Sequence, residues 1–302
     1  MRWVLLLALW LSGCSAVKMH GKWLGKKATR NGFESAVMED GPHRVHHWVA
    51  GTGPTVVLIH GFGGNGLWTW WTQARTLAHT HRVIIPDLLW FGESTSDAPP
   101  TLDAQAEAID ALVRHLVPDN ERVDVAGISY GGLVALRYGN LAPNRQGKLV
   151  MVDSPGPMFT RQDELAMLNR YQVATVEELF VPTSTDQVSS LVRLAYHKPP
   201  PLPAWLLKDL KTHVFSRNQD EQRALLNDLQ ANRAHYQKNE TAPYEKILVV
   251  WGEFDQVFPL AIGQRLAEYL GAELFVVENT GHAPNLEKPR PINQKLNSFL
   301  KP

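Results

Sequence analysis

Cysteine is nearly missing from this chain: Cys14 is the only one in 302 residues. No disulfide can form within it, so its stability must come from a packed core rather than covalent staples. Net charge is missing as well, because 30 Lys and Arg balance 30 Asp and Glu. Without a basic stripe the chain lacks the footprint of a phosphate-backbone binder, and no nucleic-acid partner is expected. The apolar stretch Trp3 to Leu11 is too short for a comfortable membrane span. No period of about 20 to 50 residues repeats, which excludes repeat architectures. The histidines include His46, His47, His79, His81, His115, His197 and His213, yet none stands in an H-E-x-x-H or other tight ligand spacing. Neither a metal nor another cofactor is therefore expected. Apolar residues are plentiful at 44%, enough for the core of one large domain or two small ones.

Those apolar residues alternate between two periodicities. Strand-like runs cover 43–50, 55–59, 82–85, 122–126, 148–152, 246–251 and 274–277, with helical spacing over 67–78, 101–117 and 132–138. Strands alternating with helices predict an α/β chain with a mostly parallel sheet covered on both faces. Residues 155–243 break the rhythm: Leu191, Leu194, Trp205, Leu206, Leu210, Leu225, Leu226 and Leu229 mark helices with no strand between them. Thr175 and Glu178 have the spacing of a capping box there. Residues 15–40 are polar, with Lys18, Lys22, Lys26 and Lys27, and are expected to form a tether or a poorly packed lead-in.

Chemistry concentrates at Gly127-Ile128-Ser129-Tyr130-Gly131, between a strand and a helix. A turn this sharp crowds its neighbours, so glycines two before and two after the serine fit a nucleophile elbow. A serine hydroxyl needs a base to take its proton and an acid to orient that base. Asp255 follows the strand 246–251, and His282 follows the strand 274–277. A rival motif, Gly61-Phe62-Gly63-Gly64-Asn65-Gly66, fits a dinucleotide-binding fingerprint, with Asp87 at the end of the next strand. That reading leaves Ser129, Asp255 and His282 unexplained, and the hydrolytic one is preferred.

The order Ser129, Asp255, His282, with His60-Gly61-Phe62-Gly63-Gly64, Trp251-Gly252-Glu253-Phe254-Asp255 and Gly281-His282, resembles the α/β-hydrolase family over residues 43 to 300. The resemblance implies an α/β-hydrolase fold with core residues 41–154 and 244–302 and a helical cap, 155–243, inserted after the sixth strand. It implies a Ser129 nucleophile, Asp255 and His282 as acid and base, and an oxyanion hole from the Phe62 and Tyr130 amides. Asp153 is a rival for the acid role, and Asp87 is expected to be structural. Trp68, Trp70 and Trp71 are candidates for an acyl pocket, with core packing favoured. Serine at the elbow argues against the aspartate-dependent branches of the fold. The combination is most similar to monoacylglycerol-lipase-type esterases, with an ester or lipid substrate. The alternatives are a carbon–carbon bond hydrolase and a non-catalytic acyl-binding lipoprotein.

The amino terminus carries a separate signal. Arg2, the apolar stretch and then Leu11-Ser12-Gly13-Cys14 resemble a bacterial lipoprotein signal over residues 1–14. That resemblance implies lipidation of Cys14 and a membrane partner through the lipid anchor. Ser15 after the cysteine implies a cell-envelope location at the outer membrane, facing the periplasm.

Overall fold

The central strands are apolar along most of their length because both of their faces are covered. In the computed structural model, which describes residues 15–238 and 243–301, these are β3 (Thr55–Ile59), β4 (Arg82–Pro86), β6 (Val123–Ile128), β7 (Gln146–Val152) and β8 (Lys246–Gly252). With β1 (Glu34–Asp40), β2 (His43–Ala50), the short β5 (Thr95–Ser96) and β9 (Glu273–Val277) they form one sheet, ordered β1-β2-β4-β3-β6-β7-β8-β9, with β5 paired to β2. All pairs from β4 to β9 are parallel, and the pairs involving β2 are antiparallel.

Alternation along each strand sorts the core into two layers. Val57, Ile59, Val125, Met151 and Trp251 face one layer with α3 (Leu102–Leu116), α4 (Tyr130–Leu141) and α11 (Leu260–Leu270). Val56, Leu58, Ile128, Val150 and Val250 face the other, with α2 (Gly66–Leu77) and α13 (Pro289–Phe299). This is the α/β-hydrolase fold. Every loop at the carboxyl end of the parallel strands rises on one crest of the sheet, where ligands bind in such folds.

Between β7 and β8 lie α5 (Arg161–Tyr171), α6 (Val176–Phe180), α7 (Thr185–Ala195), α8 (Ala204–Leu210), α9 (Gln219–Ala231) and α10 (Arg233–Lys238), with no strand among the described residues. Met167, Leu168, Val176, Leu179, Leu194 and Leu226 pack into their own small core, which reaches Val257 above the sheet.

Residues 15–40 are not a tether. They form α1 (Ala16–Arg30) and the edge strand β1, paired along its full length to β2. Ser15 caps α1 by accepting from the Lys18 N–H, and Val17, Leu24 and Ala28 make a narrow buried stripe. Only three buried apolar positions stand among the lysines, so the stripe is easily read as polar chain. The Val17 N–H donates to Asp209 on α8 at 2.8 Å, which fixes the start of α1 to the cap helices. Residues 1–14, with Cys14, lie outside the described residues. No described helix is long and apolar enough to cross a membrane.

Because Leu24 is buried in the second core layer, Leu24→Ala is expected to lower the unfolding free energy in urea by about 2–5 kcal/mol. A loose lead-in would leave the midpoint unmoved.

Candidate active site

β6 ends in Ser129, whose backbone adopts φ 53° and ψ −122°. A left-handed conformation is uncommon for a residue with a side chain and costs on the order of 1–3 kcal/mol. Its neighbours hold it there: the Ser129 N–H donates to Val152 O at 2.8 Å, and Ser129 O accepts from Gly132 N at 3.0 Å. The flanking glycines are required by crowding. A Cβ on Gly127 would lie 2.3 Å from Gly131 O, and one on Gly131 would lie 2.4 Å from His60 O.

His282 Nε2 lies 2.9 Å from Ser129 Oγ, and its Nδ1 lies 2.8 Å from Asp255 Oδ2. The other Asp255 oxygen accepts from the Val257 and Phe258 amides at 2.7 and 3.0 Å, so the carboxylate is fixed at both oxygens. With the Asp255 carboxylate accepting from Nδ1–H, Nε2 is left as the acceptor for the serine proton. The loops that carry the pair touch through backbone: a Cβ on Gly252 would fall 1.9 Å from Gly281 O. Ser129, Asp255 and His282 are thus brought into one hydrogen-bonded line.

The loop after β3 runs against Ser129, since a Cβ on Gly61 would sit 3.2 Å from Ser129 Cβ. Phe62 follows, its ring edge-on to Tyr130 at 5.8 Å. Tyr130 opens α4, so its N–H has no intrahelical acceptor and is available to a developing oxyanion. His60, fully buried, fixes this loop: its Nδ1–H donates to Gly61 O at 2.7 Å, and Nε2 accepts from Leu88 N at 2.9 Å. Burial lowers its pKa and favours the neutral ring that this pattern needs.

Asp87 is held by its own protein. It accepts from the Gly66 and Glu93 amides at 2.8 and 3.1 Å and pairs with His46 Nδ1 at 2.8 Å. Burial opposes its charge, but the His46 hydrogen bond and the nearby imidazoles outweigh this and hold the carboxyl below the usual carboxylate range. Three of a carboxylate's roughly four lone-pair sites are thus taken by its own protein, which fits a structural role for Asp87 and not a ribose ligand. Asp153, the rival acid, accepts from Gly252 N at 2.7 Å rather than meeting His282. Burial, compounded by the Asp255 charge, raises its pKa well above the carboxylate range and favours the protonated form.

Ser129 and His282 line a cavity of about 250 Å³. Its other walls are mostly apolar, with Phe62 from the loop after β3 and Phe180, Leu191 and Leu194 from the cap helices. Phe180 also lines a second apolar cavity of about 130 Å³, which Met167, Leu226 and Leu229 help to enclose. The three tryptophans of α2 lie elsewhere: Trp70 and Trp71 are buried in the core, and Trp68 packs beside Gly21 of α1. Two positioning residues were missed from sequence. Glu287 accepts from Gly281 N at 2.6 Å and from His197 N at 3.1 Å, tying the His282 loop to the end of α7. His60 is the other. The H-G string marked its position, but no spacing rule marks Glu287.

A model of the alpha/beta hydrolase family matches residues 56–295. The chain belongs to the α/β hydrolase family. Among curated relatives of this hydrolase is the dihydrolipoyllysine-residue acetyltransferase component of the acetoin cleaving system of Pseudomonas putida, 29% identical over 82% of this chain and 64% of that protein. Lipase 3 of Moraxella sp. (strain TA144) is 28% identical, covering 82% of this chain and 78% of that one. The 2-hydroxy-6-oxo-6-phenylhexa-2,4-dienoate hydrolase of Comamonas testosteroni is 26% identical over 85% and 91%. A solved membrane phospholipase A, described as a bacterial virulence factor, superposes with a TM-score of 0.76 at 25% identity, over 99% of this chain and 97% of that one.

The two carboxylates are separable by experiment. Asp255→Asn, which disturbs the tautomer, is expected to slow the reaction of Ser129 with a fluorophosphonate probe by about three to four orders of magnitude. Asp153→Asn, an isostere of the neutral acid, is expected to leave that rate within about a factor of ten. Stopped-flow labelling of both variants checks this, and the opposite ranking would transfer the acid role to Asp153.

Proposed function

We propose that this hydrolase cleaves carboxylic esters, acylglycerols or other lipid esters, through an acyl-enzyme on Ser129. The observation that carries the reading is the Asp255–His282–Ser129 line at the floor of an apolar cavity walled by the cap helices. Ser129 Oγ attacks the ester carbonyl while His282 Nε2 takes its proton, and the Phe62 and Tyr130 amides hold the oxyanion. His282 then protonates the departing alcohol, and water, deprotonated by the same ring, releases the acid. An apolar acyl chain suits the walls formed by Phe62, Phe180 and Leu191. A dienoic diketone acid suits them less, because no Lys or Arg lines the Ser129 cavity to meet its carboxylate. The lipase relative supports the ester reading, and the dienoate hydrolase relative keeps carbon–carbon cleavage as the rival to test.

Ser129→Ala is expected to abolish fluorophosphonate labelling and to cut turnover of p-nitrophenyl esters, assayed from acetate to palmitate, by at least about a thousandfold. Wild-type turnover of dienoic diketone acids with poor ester cleavage would instead assign the carbon–carbon chemistry.

We further infer that Cys14 is lipidated and that the enzyme works from the bacterial cell envelope, at the outer membrane and facing the periplasm. The support is the signal-like sequence alone: Arg2, the apolar Trp3 to Leu11, and small residues before the single cysteine. Several acyl chains, at about 0.8 kcal/mol per buried CH₂, would hold it there stably. Metabolic labelling with a palmitate analogue is expected to mark the wild type and not Cys14→Ser, whose signal should also stay uncleaved. Normal processing of an unlabelled wild type would reduce the segment to an ordinary export signal.

A further inference from the structure

The outward face of α1 has a composition that the fold does not use. Its inner stripe, Val17, Leu24 and Ala28, is buried, while Met19 is 49% and Trp23 54% exposed. On a helix of 3.6 residues per turn Met19, Trp23, Lys26 and Arg30 fall on one line, flanked by Lys22 and Lys27. The helix contains no Asp or Glu. Trp205, also exposed, stands one turn before Asp209, the residue of α8 that holds the start of α1. Lys27 lies 4.7 Å over the Trp23 ring and the His20 ring packs 5.6 Å away, yet more than half of Trp23 still faces outward, on a helix face that is basic throughout and so complements an anionic surface.

We propose that this face docks on the surface of an anionic phospholipid bilayer. Indole and thioether side chains partition to the headgroup boundary, where tryptophan concentrates, while the lysines and Arg30 meet lipid phosphates. The charge complementarity selects anionic over zwitterionic lipid. Because Asp209 ties α1 to the cap helices, docking presents those helices, and with them the walls of the Ser129 cavity, at a fixed distance from the lipid. The proposal depends on neither the reaction at Ser129 nor an acyl group on Cys14.

The test uses the full chain with Cys14→Ser and Met19→Cys, which leaves one thiol for an environment-sensitive fluorophore on the docking face. Vesicles of phosphatidylglycerol mixed with phosphatidylcholine are compared with vesicles of phosphatidylcholine alone. The expected result is a blue shift and shielding from aqueous iodide on the anionic vesicles only, reversed by high salt. Each basic residue near such a surface strengthens binding about fivefold, so adding Lys22→Glu and Lys26→Glu should weaken the probe's response at least about 25-fold. Turnover of a soluble p-nitrophenyl ester should be unchanged in that variant, so loss of ester cleavage in the parent chain would count against the proposed reaction and not against docking. A probe that stays aqueous on chain sedimented with anionic vesicles overturns the proposal, as does an equal response on neutral ones. So does a concentration-dependent blue shift without lipid, which would mean that a second copy covers the face.

Discussion

Ser129 sits in a left-handed backbone conformation at the tip of β6, and the site is organised around keeping it there. The strain is small against a domain's total burial but local, and only close packing on all sides can hold it. Val152 O and Gly132 N bracket its peptide groups, Gly61 lies against its Cβ, and Gly131 meets the backbone of His60. The same contacts that strain the serine therefore also place the loop after β3 beside it. A site on the crest of a parallel sheet inherits its precision from the sheet register, since β3, β6, β7, β8 and β9 each deliver one of its loops.

Buried polar groups do the rest of the positioning, and they sit behind the chemistry rather than in it. Asp87 gathers the start of α2, the loop at Glu93 and His46 around one carboxylate. His60 fixes the loop after β3, and Glu287 joins the His282 loop to the cap. Asp153 shows the opposite solution. Next to the Asp255 carboxylate and cut off from water, it accepts one amide and favours its proton.

Much of this was legible in the residues, for reasons that differ by element. The central strands are buried on both faces and read as continuous apolar runs; the elbow was readable because crowding at Gly127 and Gly131 leaves glycine as the residue that fits. Ser129, Asp255 and His282 could be picked out because each ends or follows a recognisable strand. Residues 15–40 were not legible in this way. α1 buries three small or medium side chains and exposes lysines between them, and β1 is an edge strand exposed at six of its seven positions, so neither carries a strong periodic signal. Glu287 was invisible for another reason: it acts by accepting backbone N–H groups from chain 6 and 90 residues away, which leaves no local pattern.

In the proposed reaction the Asp255–His282–Ser129 line generates a nucleophile at Ser129 and nowhere else. The most direct measurement is mass spectrometry of acid-quenched enzyme taken during the pre-steady-state burst with a p-nitrophenyl ester. The account requires one acyl group per chain, located on the peptide that contains Ser129 and formed as fast as p-nitrophenol is released in the burst. Turnover of the ester with no acylated peptide, or with the acyl group on another residue, would contradict it.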